Sequence, residues 1–296
     1  MKINKNLNWL IPLTAVLAGT ASLCGLLWRN GPGPYDFITH RGTSTVLSGR
    51  GLYQFDSLFI SGSFLGTDVI TLVIGIPLLI IAYLLYRKSS IRGAFLLAGA
   101  LSFFLYNGAS MAFGAAYNAL FLVYTGLFAV SLFSFIIVFQ SINTDGLLSG
   151  IKEKMPEKGL AVFLFISGAI LAFVWLSDIA AGFASGSAPP LLGTYTTMVT
   201  YVLDLGVILP AILISGVLIL RKKSAGYALG FVMIFLCAVI GIIVIAQTIA
   251  QVALGITYTS QQLIVFISSF IIMSGFALWL AVLFLKNISP GSADGT

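Results

Sequence analysis

Long apolar stretches separated by short polar segments run through the whole sequence. A helix needs about 20 apolar residues to cross a hydrocarbon core of about 30 Å, and eight stretches reach that length. The eight stretches are Trp9–Trp28, Thr67–Tyr86, Ala94–Gly114, Ala119–Phe139, Leu160–Ala181, Met198–Leu220, Tyr227–Ala250 and Leu263–Leu285. The pattern predicts an all-α, polytopic membrane protein with eight transmembrane helices.

Composition supports this fold class and excludes several others. Of the 296 residues, 59% are hydrophobic and 8% are charged, whereas soluble domains carry about 25% charged residues. Such a chain cannot bury its apolar surface in one core and still cover itself with polar groups. A soluble enzyme, a coiled coil and a disordered chain are therefore excluded, and the lipid bilayer is the expected partner.

The positions of the basic residues predict the orientation. With the N-terminus in the cytoplasm, 12 of the 15 Lys and Arg residues fall in cytoplasmic segments, and Arg29, Arg41 and Arg50 fall outside. The positive-inside rule then favours both termini in the cytoplasm. We expect a multi-pass protein of the cell inner membrane. The net charge of +6 is explained by these loops, so it gives no reason to expect a nucleic-acid partner.

Two segments suggest an internal repeat. Pro77 is followed ten residues later by Arg87-Lys88-Ser89, and Pro210 is followed eleven residues later by Arg221-Lys222-Lys223-Ser224. We interpret residues 1–150, with the long outer loop 29–66, and residues 151–296 as parallel four-helix halves, although chance similarity between apolar helices stays open. A proline inside a helix kinks it. Pro77 and Pro210 are therefore candidate hinges, with fixed bends as the alternative.

Three acidic residues lie near the outer ends of the predicted spans. At 1.5 Å per residue, Asp68, Asp178 and Asp204 each lie about 25–30 Å along a helix from the inner basic residues. An ionisable residue at membrane depth suggests a function. The functional interpretation is an outward-facing acidic cavity that binds a cation, a proton or an amine. The alternative is that solvent or loop residues satisfy these acids.

Further polar residues on the same side complete the predicted ligand- or ion-binding set. His40 and Arg50 lie in the long outer loop, and Asn107 lies in the outer third of span three. With two Cys residues and one His, a four-ligand Cys/His metal site is impossible. We therefore predict no metal site, no cofactor and no catalytic residue.

One stretch resembles a known group of proteins. Thr67–Tyr124 is similar to a family of uncharacterised bacterial multi-span inner-membrane proteins. The residues that carry the resemblance are Asp68, Pro77, Leu105-Tyr106-Asn107, Phe113-Gly114, Asn118 and Phe121-Leu122-Val123-Tyr124, with Asp204-Leu205-Gly206 and Pro210 in the second half. The resemblance implies a bacterial inner-membrane location and brings no activity with it.

The sequence leaves three functions open. The first is permease-like transport, or binding of an ion or small solute, through the acidic cavity. The second is an enzyme that acts on a lipid or lipid-linked substrate at the outer leaflet, with the acids as a general base or as metal ligands. The third is a non-catalytic assembly subunit that uses the outer loop as a docking surface. The residues favour a role without catalysis, and they assign no protein partner.

Overall fold

Eight helical spans, each long and apolar enough to cross a membrane, make up most of the described part of the chain. A computed structural model describes residues 3–142 and 144–289. The spans are Leu7–Leu27, Leu58–Arg87, Ile91–Gly114, Phe121–Ser141, Glu157–Ser185, Val199–Leu220, Ser224–Ala253 and Ser260–Lys286, here called spans one to eight. Three short helical segments, Thr144–Leu147, Leu148–Gly150 and Pro190–Leu192, lie between them. The predicted fold class is confirmed.

Spans two and six share an unusual backbone. Each contains a five-residue π-helix, Thr71–Gly75 in span two and Asp204–Ile208 in span six. In both, the N–H just after the wide turn bonds to the carbonyl five residues back, Ile76 to Thr71 and Leu209 to Asp204. Pro77 and Pro210 each follow two residues later.

The prolines give a physical reason for these wide turns. A proline has no N–H, and its ring clashes with the carbonyl four residues earlier, so a regular α-helix cannot pass through it undistorted. A π-helix inserts one extra residue into the turn and is common at functional sites. The hinge role of the two prolines stays a prediction.

Span seven connects the two groups of four spans. It packs against spans six and eight of its own half, and also against spans two and three of the first half. The contact with span two depends on glycine. A Cβ added to Gly62 would lie 2.9 Å from Cα of Gln251, and one added to Gly66 would lie 2.3 Å from the backbone N of Gln247. Gly62 and Gly66 thus allow the two helices to approach backbone to backbone.

The long connection between spans one and two is folded rather than irregular. It contains an antiparallel hairpin of β1, Tyr35–Ile38, and β2, Ser44–Leu47, with Tyr35 opposite Leu47. The guanidinium of Arg41, at the turn of this hairpin, donates to the carbonyls of Gly193 and Thr196, both at 3.4 Å. The apolar end of the connection is part of span two, which begins at Leu58, so the connection is shorter than the predicted loop 29–66.

The opposite end of the bundle, called the terminal end here, is closed by backbone carbonyls and basic side chains. Arg92 donates to the carbonyl of Ile288 at 2.7 and 3.1 Å, and Lys152 donates to the carbonyl of Lys286 at 3.0 Å. A dense apolar core lies nearby, where the rings of Phe95, Phe231 and Phe284 lie 5.0–5.3 Å apart. Asp56, Asp68, Asp178 and Asp204 lie towards the other end, called the hairpin end.

Candidate functional site

Spans five and six exchange hydrogen bonds between aromatic donors and aspartates. Span five carries Trp175 and Asp178, and span six carries Tyr201 and Asp204. On each helix the two residues are three positions apart, and therefore they share a face. The indole Nε1 of Trp175 donates to Oδ2 of Asp204 at 2.7 Å, and the Tyr201 hydroxyl donates to Asp178. The rings of Trp175 and Tyr201 are 5.3 Å apart. We call these four residues, with Tyr106, the paired-aspartate site.

Tyr106 connects this site to the first half of the chain. Its hydroxyl donates to Oδ1 of Asp204 at 2.8 Å from span three. Asp204 is only 5% exposed, and each of its carboxyl oxygens has one donor. Asn107 is also buried, but adjacent residues on a helix point in different directions. Tyr106, which the sequence reasoning did not select, makes the contact to Asp204.

The aspartates of this site have uncharged partners. Within residues 3–142 and 144–289 the structure contains one ion pair, between Lys222 Nζ and Glu157 Oε2 at 3.7 Å, at the terminal end. His40 and Arg50 are exposed on the connection between spans one and two. Neither side chain forms an ion pair with an acid in the part of the chain that the structure describes.

Asp68 lies in a second cluster, within the first half. It is fully buried, and the Tyr53 hydroxyl donates to its Oδ2 at 2.8 Å. Ser22 of span one lies beside the carboxyl group. Tyr53 packs with Tyr124 of span four, and both rings are buried. We call Ser22, Tyr53, Asp68, Thr71 and Tyr124 the Asp68 cluster.

Asp56 joins three connections at the hairpin end. Its Oδ1 accepts from the backbone N–H of Ala116 at 2.8 Å and from the hydroxyl of Tyr195 at 2.7 Å. Asp56 itself precedes span two, Ala116 lies between spans three and four, and Tyr195 lies between spans five and six. Burial raises the pKa of the Asp56 carboxyl to about 6, and the two hydrogen bonds lower it by less. Burial also raises the pKa of Tyr195, so its hydroxyl remains a donor.

Apolar side chains cover the paired-aspartate site at the hairpin end. Leu192, Met198 and Tyr201 form a buried group, and Trp175 and Tyr195 pack against it. The connection between spans five and six therefore lies over the site, held by Asp56 and Arg41 of the first half. We call residues 186–198 the cover segment.

The structure brings together some of the predicted site residues and separates others. Asp178 and Asp204 both belong to the paired-aspartate site, where each accepts from an aromatic donor on the other's helix. Asp68 has different hydrogen-bond partners, from span one and from the connection that precedes span two. Asp56 was not predicted, because a loop aspartate carries no local signal of burial and its partner Tyr195 is 139 residues away.

Metal-ligating residues are sparse where the structure describes the chain: no group of three or more His, Cys, Asp and Glu side chains could hold a metal ion there. Comparisons with protein-family models, curated proteins and solved structures find no match. Fold and site geometry are therefore the basis for a functional proposal, and the resemblance to bacterial inner-membrane proteins stays a prediction.

Proposed function

We propose that this protein is a permease-like protein of the cell inner membrane in which Asp204 and Asp178 carry a proton. The observation that supports this most is the reciprocal pairing of Trp175 with Asp204 and of Tyr201 with Asp178. It gives each of the two carboxyl groups an uncharged aromatic donor from the neighbouring helix, next to the cover segment.

The packing favours a proton over a larger ligand. The donors to Asp204 lie at 2.7 and 2.8 Å from its two oxygens, which is ordinary hydrogen-bond distance. No ion or solute fits between such partners unless they move apart. A proton needs no such space, and a carboxyl group that alternates between two protonation states is the usual proton carrier in membrane transporters.

The backbone of span six supports coupling of this site to a conformational change. Asp204 is the first residue of the π-helix, and Pro210 follows six residues later. Span two has the same arrangement of a π-helix and a proline at the same spacing, with Thr71 in the place of Asp204. These matched distortions favour the parallel-repeat hypothesis, and in transporters built from repeats the substrate sites lie at the repeat interface.

Proton flux in proteoliposomes tests the proposal. The purified protein is reconstituted, a potassium diffusion potential is imposed, and internal pH is followed with a dye, with and without small amines as candidate co-substrates. We expect flux above that of empty liposomes, and its loss in Asp204→Asn. Asp36→Asn, an exposed acid of the hairpin, serves as the matched control and should retain the flux.

Two results would overturn the proton-carrier role. One is a wild-type flux no greater than that of empty liposomes in every condition. The other is an Asp204→Asn protein that folds and conducts protons as well as the wild type. Asp178→Asn separates the two acids, since we expect it to slow the flux without abolishing it.

An assembly role is the second candidate, and the hairpin supports it. Phe37 and Ile38 of β1 are exposed, Ile38 by 64% of its surface, and exposed apolar residues on a structured loop suit a docking surface. A stoichiometric complex that is lost in Phe37→Ser, from a protein with no proton flux, would favour this function instead.

A further inference from the structure

We propose that the Asp68 cluster binds a sodium ion, with Oδ1 of Asp68 and the hydroxyl oxygen of Thr71 as ligands on one helix. The cluster shares no residue with the paired-aspartate site, and the inference does not depend on proton transport there. The argument starts from the depth of Asp68 in span two.

Asp68 lies well inside span two. It comes ten residues after Leu58, the first residue of that span, which is about 15 Å along the helix. Its side chain is fully buried, and the one ion pair of the described residues lies elsewhere, between Lys222 and Glu157. An ionised carboxyl group at membrane depth is costly unless a positive charge lies beside it. No charged side chain in the described part of the chain supplies that charge.

Two buried oxygens of span two lack a hydrogen-bond partner at this place. The Tyr53 hydroxyl donates to Oδ2 of Asp68 at 2.8 Å, whereas Oδ1 has no partner among the described residues. The hydroxyl of Thr71, which is also fully buried, has none there either. Residues three positions apart share a face of a helix, so the two oxygens lie on the same side of span two. Buried polar atoms without a partner are rare and require an explanation.

The hydroxyl of Thr71 also differs from those of other buried threonines in the spans. Thr14, Thr67 and Thr248 each donate to the carbonyl four residues earlier on their own helix, at 2.8–2.9 Å. This local bond is the usual way in which a helix satisfies a threonine side chain. Because Thr71 does not form it, its hydroxyl oxygen is available as a ligand.

Span one approaches the same carboxyl group closely. A Cβ added to Gly25 would lie 2.1 Å from Oδ2 of Asp68 and 2.9 Å from the Tyr53 hydroxyl. Ser22 lies three positions before Gly25, on the same face of span one, and it is buried. Its hydroxyl oxygen is therefore the third ligand that we expect. The close approach of the two helices leaves little space, which favours Na⁺ over the larger K⁺.

The ligand set favours a monovalent cation over a divalent one and over a proton. Carboxylate and hydroxyl oxygens are hard ligands, which suit hard cations. One carboxylate neutralises Na⁺, whereas a divalent cation would leave a net positive charge buried in the protein. Oδ1 of Asp68 and the hydroxyl of Thr71 are not hydrogen-bonded to each other. A proton on Asp68 would therefore leave Thr71 unsatisfied, while a cation between the two oxygens coordinates both.

Sodium binding to the full chain in lipid nanodiscs tests the inference. Thermal unfolding is followed in choline chloride and, at the same ionic strength, in NaCl, KCl or CaCl₂. Bound ion is measured by equilibrium dialysis against radioactive sodium. We expect NaCl to raise the melting temperature by several degrees in a saturable manner, with about one sodium ion bound per chain, and KCl and CaCl₂ to leave it near the choline value.

Variants locate the site. Asp68→Asn should lose both the shift and the bound sodium. Thr71→Val removes one ligand oxygen at nearly constant shape, so it should weaken sodium binding about tenfold, the effect of one lost contact to a charged group. Thr14→Val is the matched control, because this buried hydroxyl bonds to its own helix, and it should bind sodium like the wild type. Asp204→Asn should do the same.

Several results would overturn the inference. They are a wild type that binds no sodium, a melting temperature that rises in CaCl₂ but not in NaCl, and an Asp68→Asn variant that binds sodium like the wild type. If Asp68→Asn does not fold, equal sodium affinity of Thr71→Val and Thr14→Val would overturn it instead. Loss of the bound sodium in Asp204→Asn would assign the ion to the paired-aspartate site.

Discussion

Asp56 makes the stability of the protein depend on pH, and the sign can be worked out from its surroundings. The pKa of its carboxyl is about 6 in the folded protein, against 3.8 for an unperturbed group, because burial disfavours the charged form. The folded state therefore binds the proton more tightly than the unfolded state does. Protonation of Asp56 therefore stabilises the folded state. This stabilisation is fully present below about pH 4 and is lost as the pH rises through 6.

The shift sets the size of the effect. A difference of about two pKa units corresponds to about 3 kcal/mol over the whole titration. Of this, the free energy of unfolding should lose about 2 kcal/mol between pH 4 and pH 6.5. Above that pH it should not fall further on account of Asp56. The groups that contact this carboxyl are the hydroxyl of Tyr195 and the N–H of Ala116.

Unfolding is measured in nanodiscs from pH 4.5 to 7.5 in choline chloride, without added Na⁺ or Ca²⁺. Asp56→Asn keeps an acceptor for Tyr195 and Ala116 and cannot ionise, so it should lose this part of the pH dependence. Tyr195→Phe removes a hydrogen bond that lowers the pKa of Asp56, so its transition should lie at higher pH than in the wild type.

Two observations would refute the reasoning. The first is a wild-type stability that does not change over this pH range. The second is an Asp56→Asn variant that retains the full pH dependence, which would assign the effect to another group. Asp36→Asn, whose carboxyl is exposed, is the control and should follow the wild type.

Three other predictions concern packing, the site and orientation. Gly66→Ala should destabilise the protein by about 1–3 kcal/mol, because the added Cβ meets the backbone of span seven. Gly275→Ala should be tolerated, because a Cβ at that position has no atom within 4 Å. The free energies of unfolding of the two variants are compared. Trp175→Phe should lower the free energy of unfolding by about 1–3 kcal/mol, because it leaves the buried Oδ2 of Asp204 without its donor. A variant as stable as the wild type would argue against that hydrogen bond. In spheroplasts, an impermeant thiol reagent should label Arg50→Cys but not Lys154→Cys; labelling of both would contradict the proposed orientation.

Local sequence patterns were enough to predict the eight spans. A run of about 20 apolar residues is a signal that each segment carries by itself, whatever its neighbours do. The positions of Pro77 and Pro210 likewise predicted distortions in spans two and six. The hairpin of β1 and β2 was missed because its strands are four residues long and both largely exposed, so they show no strict alternation.

The partners of the acidic residues were decided by tertiary structure. The sequence placed Asp178 and Asp204 near one end of the bundle, which follows from the helix rise. It could not show that Trp175 and Tyr201 would pair with them, that Tyr106 would reach Asp204 from the other half, or that Asp56 would be buried. Those contacts join residues that are 23 to 139 positions apart and depend on how the helices rotate against each other. Packing of all eight spans sets that rotation, and no single apolar segment encodes it.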